Sequence, residues 1–168
     1  FQTLRRNGAA GMPRWLQELG DQAWSRFTEL GFPTARRGNE KWKYTNVAPI
    51  AKAAFSYGGD LDPEGALSAA GLRRIAPGGD SWVNLVFVDG KLSRTLSTPP
   101  GAAGDVLVTN LADVVRSDGR AVEHHLARHA SFEDDGFTAL NTAFLRDGAF
   151  VQAPGGREPG TTVNLVFV

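Results

Sequence analysis

Val83-Asn84-Leu85-Val86-Phe87-Val88-Asp89-Gly90 is the stretch on which the fold turns. Its first six residues are mostly β-branched, leucine or aromatic, which suits a pleated and buried strand. The closing Asp-Gly pair accepts the left-handed backbone of a two-residue hairpin turn. A strand over 82–88 and a return strand over 91–96 are therefore expected. The hexapeptide Val-Asn-Leu-Val-Phe-Val then recurs from Val163 to Val168. Its offset of 80 residues is far from the period of common solenoid repeats, so it reads as two similar buried strands and not as proof of duplication.

Working outward, the segment before this strand has a helical period. Pro13 suits a first turn, and Leu16, Leu19, Ala23, Phe27 and Leu30 recur at spacings of three and four, which predicts an amphipathic helix. Gly31 supplies a left-handed cap and Pro33 the stop, with Phe32 between them folding back onto the last turn. Residues 34–46 mix aromatic and cationic groups without a clean period and read as a packed loop or short helix. Asp62-Pro63 is expected to cap a helix over 63–70 closed by Gly71, and Pro77-Gly78-Gly79 to form a loop. Downstream, a strand over 106–109 leads to Asn110, which caps a helix to about Val115, and a second helix is expected over 120–129. Residues 137–145 place Phe137, Leu140 and Phe144 on one helical face, before an Asp147-Gly148 turn and a strand over 149–153.

The 168 residues carry 18 basic and 18 acidic groups, 42% hydrophobic residues and no cysteine. Without cysteine there is no zinc ribbon, no thiol redox pair, no thiolate nucleophile and no cluster ligated by Cys from this chain. The longest apolar runs, 85–88 and 165–168, are far below the roughly 18 residues a membrane helix needs. Charge is uneven: residues 1–58 hold nine basic and four acidic groups, and 59–168 hold nine and fourteen. Such polarity either orients a partner or reflects two segments that differ in surface composition. The start at Phe1, with neither Met nor a signal h-region, and the end in a buried-strand pattern lead us to expect an N-terminal portion of a longer protein.

Candidate chemistry is sparse. His125 and His129 are i, i+4 with His124 adjacent, a spacing that presents two imidazoles to one metal on a helix. No intervening Glu completes that pattern, and a solvated helix face is the preferred account of it. Glu133-Asp134-Asp135 either bind a cation or cap the helix that follows. Neither a phosphate-binding G-x-x-x-x-G-K-[ST] loop nor a G-x-S-x-G elbow occurs. Trp42, Lys43 and Tyr44 with Arg36, Arg37 and Lys41 offer stacking and charge for a nucleic-acid strand; the competing role is to anchor the loop to the N-terminal helix. Asn141, in an apolar helix face, needs a partner if buried and suggests a backbone clamp.

Taken in order, Gly31-Phe32-Pro33-Thr34, Glu40-Lys41-Trp42-Lys43-Tyr44-Thr45-Asn46, Leu85-Val86-Phe87-Val88-Asp89-Gly90, Phe137-Thr138-Ala139-Leu140-Asn141-Thr142-Ala143-Phe144-Leu145 and Asp147-Gly148-Ala149-Phe150-Val151 resemble the N-terminal region of the SufB/SufD family of iron–sulfur cluster assembly scaffolds. The absence of cysteine favours the SufD branch. Two departures stand out: the insert from Gly155 to Thr162, and Asn164 where a His is common.

The resemblance implies an α+β fold. An N-terminal helical segment, a β-hairpin and short helices would lead into the first strands of a right-handed parallel β-helix. The parts expected are a basic helical segment over 1–58, a mixed capping region over 59–148 and truncated β-helix strands over 149–168. It implies a non-catalytic, cytoplasmic scaffold whose partners are SufB and the ATPase SufC, or a second SufD. No catalytic, cofactor or metal residue falls on this chain. The iron–sulfur cluster, and a suggested flavin, belong to the intact complex, with no nucleic acid and no membrane as partner. Glu40, Trp42, Lys43, Tyr44, Thr45, Asn46 and Asn141 are then structural or partner-facing. The 83–97 hairpin and the 137–145 helix are expected to cover the β-helix end. A SufB-type paralogue, a stand-alone protein or nucleic-acid binding module and a small His-dependent metalloenzyme remain as other readings.

Overall fold

The computed structural model describes residues 1–8, 11–35, 39–55, 62–65, 67–76, 81–99, 101–103, 106–156, 158 and 160–168. Arg36, Arg37, Gly58 and the Pro77-Gly78-Gly79 loop lie outside them. Two compact units share the chain: residues 1–59 with 118–145, and residues 60–117 with 146–168. The segment 118–145 thus belongs with the N-terminal helices, which differs from the contiguous three-part division expected from sequence.

In the first unit, Gln2–Gly8 (α1), Arg14–Leu30 (α2), a 3-10 turn at Glu40–Trp42, Ala48–Lys52 (α3), Arg120–Glu123 and Gly136–Ala143 are helical. Pro13 is the N-cap of α2, and Gly31 closes it at φ +66° with its N–H donating to the Phe27 carbonyl at 2.7 Å. Phe32 folds back as expected, its ring 5.2 Å from that of Phe27 and nearly perpendicular. The helix at Gly136–Ala143 is capped by Asp135, whose Oδ1 accepts from the Thr138 N–H at 2.8 Å. It packs along α2 through small residues. The Ala143 carbonyl oxygen lies 3.5 Å from where a Cβ at Gly20 would stand, and the Gly31 oxygen only 2.0 Å from a Cβ at Gly136. The buried positions of this helix are Gly136, Ala139, Thr142 and Ala143, while Phe137 and Phe144 flank the seam. Close helix approach thus selects small side chains at the seam, and the rings pack elsewhere: Phe137 on Phe32 and Trp42, Phe144 on Phe1 and Trp24.

Residues 120–129 do not form one helix. The α-helix ends at Glu123 and the chain continues in turns, with Ala127 at φ +57°. Nor does a helix start at Asp62: its Oδ1 accepts from the Glu64 N–H at 3.0 Å in a turn, and the helix runs later, Ala69–Ile75 (α4), with Ser68 Oγ accepting from the Gly71 N–H. Gly71 lies inside that helix instead of ending it.

The second unit holds α4, two three-stranded sheets and the helix Leu111–Asp118. One sheet has the order Lys91–Leu92 (β2), Val83–Val88 (β1), Val163–Phe167 (β6). The other is Gly101–Ala103 (β3), Val106–Asn110 (β4), Ala149–Gln152 (β5), all antiparallel. Leu85, Phe87 and Leu92 of the first sheet and Val106 and Val108 of the second form one buried cluster. Burying such side chains contributes roughly 1.5–3 kcal/mol each. Asp89 at φ +50° and Gly90 at φ +80° make the expected tight hairpin turn. Asn110 caps Leu111–Asp118 by accepting from the Asp113 N–H at 3.1 Å, and its amide donates to Asp147.

Candidate strand-stacking site

The repeated hexapeptide pairs with itself. β1 and β6 run parallel and in register, Val83 against Val163 through Phe87 against Phe167. Parallel register sets identical side chains one above the other, so each pair meets on the same face. Asn164 Nδ2 donates to Asn84 Oδ1 at 2.9 Å, and the rings of Phe87 and Phe167 stack 4.9 Å apart at 13°. The two copies are not equally buried. Phe87 is 1% exposed and Phe167 67%, with Leu165 and Val168 also exposed. The expectation of two buried strands holds for β1 alone. Among the described residues, β6 has strand pairing on one side only.

The opposite side of β1 is closed differently. β2 lasts two residues, and the chain then turns under Glu64. The Glu64 carboxylate accepts from Ser93 Oγ at 3.0 Å, from the N–H groups of Arg94 at 2.5 Å and Thr95 at 3.3 Å, and from Thr95 Oγ1. The Thr95 hydroxyl, followed by these other donors, holds its pKa below the ordinary carboxylate value against the desolvation that raises it. This clamp explains why the return strand stops at Leu92 and not at Leu96. Past it, Ser97 Oγ accepts from the Val86 N–H at 2.9 Å and Thr98 Oγ1 from the Asn84 N–H at 3.0 Å. Side-chain hydroxyls thus occupy ladder positions that a third strand would need, which seals this edge.

A family model described as the N-terminal region of SufBD proteins matches residues 80–165, just over half of the chain. This chain is a member of the SufB/SufD family. The matched span contains β1, the sealed edge, the Gly136–Ala143 helix and all but the last residues of β6. Comparison with curated proteins finds no match.

The motif that carried the resemblance earlier in the SufB/SufD chain, Glu40 to Asn46, precedes that span. Trp42 packs on Phe137 with ring centroids 5.1 Å apart, so it anchors the loop to the Gly136–Ala143 helix. Tyr44 is 91% exposed, Lys43 pairs with Glu40 at 3.5 Å, and Thr45 is exposed. Asn46 Oδ1 accepts from the Ala48 N–H at 3.0 Å and starts α3. Asn141 is exposed, so the expected backbone clamp is corrected: the buried polar residue of that helix is Thr142, bonded to the Thr138 carbonyl at 2.8 Å. His124, His125 and His129 are exposed and leave the helical spacing after Glu123. Among the described residues no three potential metal ligands gather. Of the acidic run, Asp135 caps and the Glu133 carbonyl accepts from Arg26 Nε at 2.6 Å.

An open groove of about 370 Å³ lies in the helical unit beside α2. Trp15, Leu126 and Phe132 line it with Glu18, Glu123 and Glu133 and one guanidinium, Arg128. Sequence reasoning missed Glu64, Ser97 and Thr98; the hydroxyl-rich run from Ser93 to Thr98 was the signal available.

Proposed function

We propose that this chain belongs to a non-catalytic scaffold subunit of the SUF iron–sulfur cluster assembly machinery, of the SufD type, and forms the closed end of its β-helix. Family membership supports the assembly role, and the absence of cysteine supports SufD over SufB. The observation that carries the capping role is the asymmetry of β1 and β6. In a parallel β-helix each coil lays a strand over the one before it. β6 over β1, in register and with an Asn pair, has that relation, while hydroxyls seal the other edge. Within the strand unit the cap is assigned to 91–98 and Glu64.

In this role the cluster is cargo handled elsewhere in the complex, with a SufB-type scaffold and the SufC ATPase as partners in the cytoplasm. Among the described residues no helix is long and apolar enough to cross a membrane. Three carboxylates against one guanidinium make the groove beside α2 unsuited to a flavin phosphate. Tagging the complete gene product in its own host and identifying co-purifying proteins tests the proposal. Recovery of an ABC-type ATPase with a second β-helix scaffold is expected; recovery of neither at native expression overturns it.

A further inference from the structure

The loop at 93–95 gathers hydrogen-bond donors as an anion-binding nest does. The N–H groups of Arg94 and Thr95 and the hydroxyls of Ser93 and Thr95 converge on one place, which the Glu64 carboxylate fills. Its two oxygens are used differently. Oε1 accepts from the Arg94 N–H, while Oε2 accepts from both hydroxyls and from the Thr95 N–H. Donors divided over two oxygens in this way suit a carboxylate. The loop is fastened to β1 on both flanks by bonds that do not involve Glu64. The Ser93 N–H donates to the Val86 carbonyl at 2.8 Å and the Thr98 N–H to the Asn84 carbonyl at 2.8 Å, while the Ser97 and Thr98 hydroxyls accept from β1 in turn. Ser93 is fully buried, and its Oγ also accepts from the Leu96 N–H at 3.3 Å. The donors therefore stay gathered when the carboxylate leaves.

That carboxylate comes from 30 residues earlier in the chain, on a turn at 62–65 that belongs to no helix or strand. The surroundings favour an anion as well. Asp113 is shared by the guanidinium groups of Arg94 and Arg116, so this cluster keeps one net positive charge next to the loop. We propose that the 93–95 loop is a carboxylate-binding site which the folded chain occupies with its own Glu64, and that a carboxylate from outside takes the same donors when the 62–65 turn swings out. The lowered pKa of Glu64 agrees with this, since the donors outweigh desolvation and favour the charged form. A tethered carboxylate competes at an effective concentration on the order of millimolar. Glu64 is thus an internal competitor, and an outside ligand succeeds when it is itself presented at high local concentration, as an acidic segment of a bound partner would be.

Titration of the full chain with sodium acetate tests it, followed by the Arg94 and Thr95 amide resonances and set against sodium chloride at the same ionic strength. In Glu64→Ala, acetate should produce saturable shifts at both amides with an affinity roughly tenfold or more above that of wild type. Glu64→Asp, which keeps the charge and withdraws the carboxylate by one methylene, should show a smaller gain, and it carries the test by itself if Glu64→Ala does not fold. Adding Thr95→Val to either variant should remove the gain, because the hydroxyl is lost while the shape is kept. Far-ultraviolet circular dichroism and the thermal midpoint establish that each variant is folded. An N-acetylated, C-amidated Ala-Glu-Ala peptide that binds the variants more tightly than acetate places the ligand on an acidic segment of a partner protein; equal affinity places it among small carboxylates. Acetate that moves neither amide in the folded variants, moves them no more than chloride does, or binds wild type and variants alike overturns the proposal and leaves Glu64 a purely structural strut.

Discussion

Asn164 Nδ2 donates to Asn84 Oδ1 at 2.9 Å, joining two residues 80 positions apart at equivalent places in one repeated hexapeptide. The bond depends on in-register parallel pairing, because a shift by one residue would send the two amides to opposite faces. Replacing either Asn with Ala should cost about 0.5–1.5 kcal/mol, and a double-mutant cycle in urea should show coupling of at least about 0.5 kcal/mol. Strict additivity would mean that the pair does not set the register.

The two phenylalanines of the repeat should respond unequally. Phe87 sits in the core of the strand unit and Phe167 is largely exposed on the outer strand, though their rings stack. Phe87→Ala is expected to cost about 3–5 kcal/mol and Phe167→Ala under about 1 kcal/mol, read from denaturant midpoints. Comparable losses would place Phe167 in a buried environment.

Two glycines on the α2 seam make a second contrast. Gly136→Ala drives a Cβ into the Gly31 carbonyl oxygen, a backbone atom that cannot step aside, and should cost about 2–3 kcal/mol. Gly20→Ala meets the Ala143 oxygen at an ordinary 3.5 Å and gains helix propensity, so its midpoint should stay within about 1 kcal/mol of wild type or rise. Thermal unfolding of the two variants side by side decides it.

Glu64 gives the fold a pH dependence of defined sign. Its pKa is lowered in the folded chain, chiefly by the Thr95 hydroxyl, so the unfolded chain binds the proton more readily. The stabilisation is fully present above the ordinary carboxylate value and is lost as pH falls through the depressed one. Unfolding midpoints measured from neutral to acid pH should fall across that window, and Glu64→Gln should flatten the fall. An unchanged slope in the variant would show that the clamp does not act through charge.

How much of this was legible follows the range of the interactions involved. α2 and its Gly31-Phe32 closure, the Asp89-Gly90 turn and the Asn110 and Asp135 caps are set within a few residues, and their patterns state them directly. The end of β2 was not legible from 91–96, since the carboxylate that bends this stretch comes from Glu64, about thirty residues earlier. The 63–70 helix failed for a related reason: Asp62 is a good cap, but its hydrogen bond closes a turn that delivers Glu64 to the clamp. In the Gly136–Ala143 helix the helical period states which residues share a face but not which face meets α2, where contact favours Ala139 and Ala143. The hexapeptide repeat was visible, but repetition alone states neither direction nor pairing. At the Glu40–Asn46 motif, sequence marked the right residues without separating the anchor, Trp42, from the exposed Tyr44.

The sealed edge of β1 also sets an order of events during synthesis. Ser97 and Thr98 leave the ribosome within 14 residues of the backbone groups they satisfy, whereas the partner on the other side is 80 residues away. At translation rates of about 5–20 residues per second, that side of β1 waits roughly 4–16 s for β6. Throughout this interval a nascent chain presents a strand edge whose cognate sequence is identical to itself. On a polysome, the neighbouring chains carry that sequence too, so exchange of strands between them is the misassembly to which this edge is open until β6 emerges.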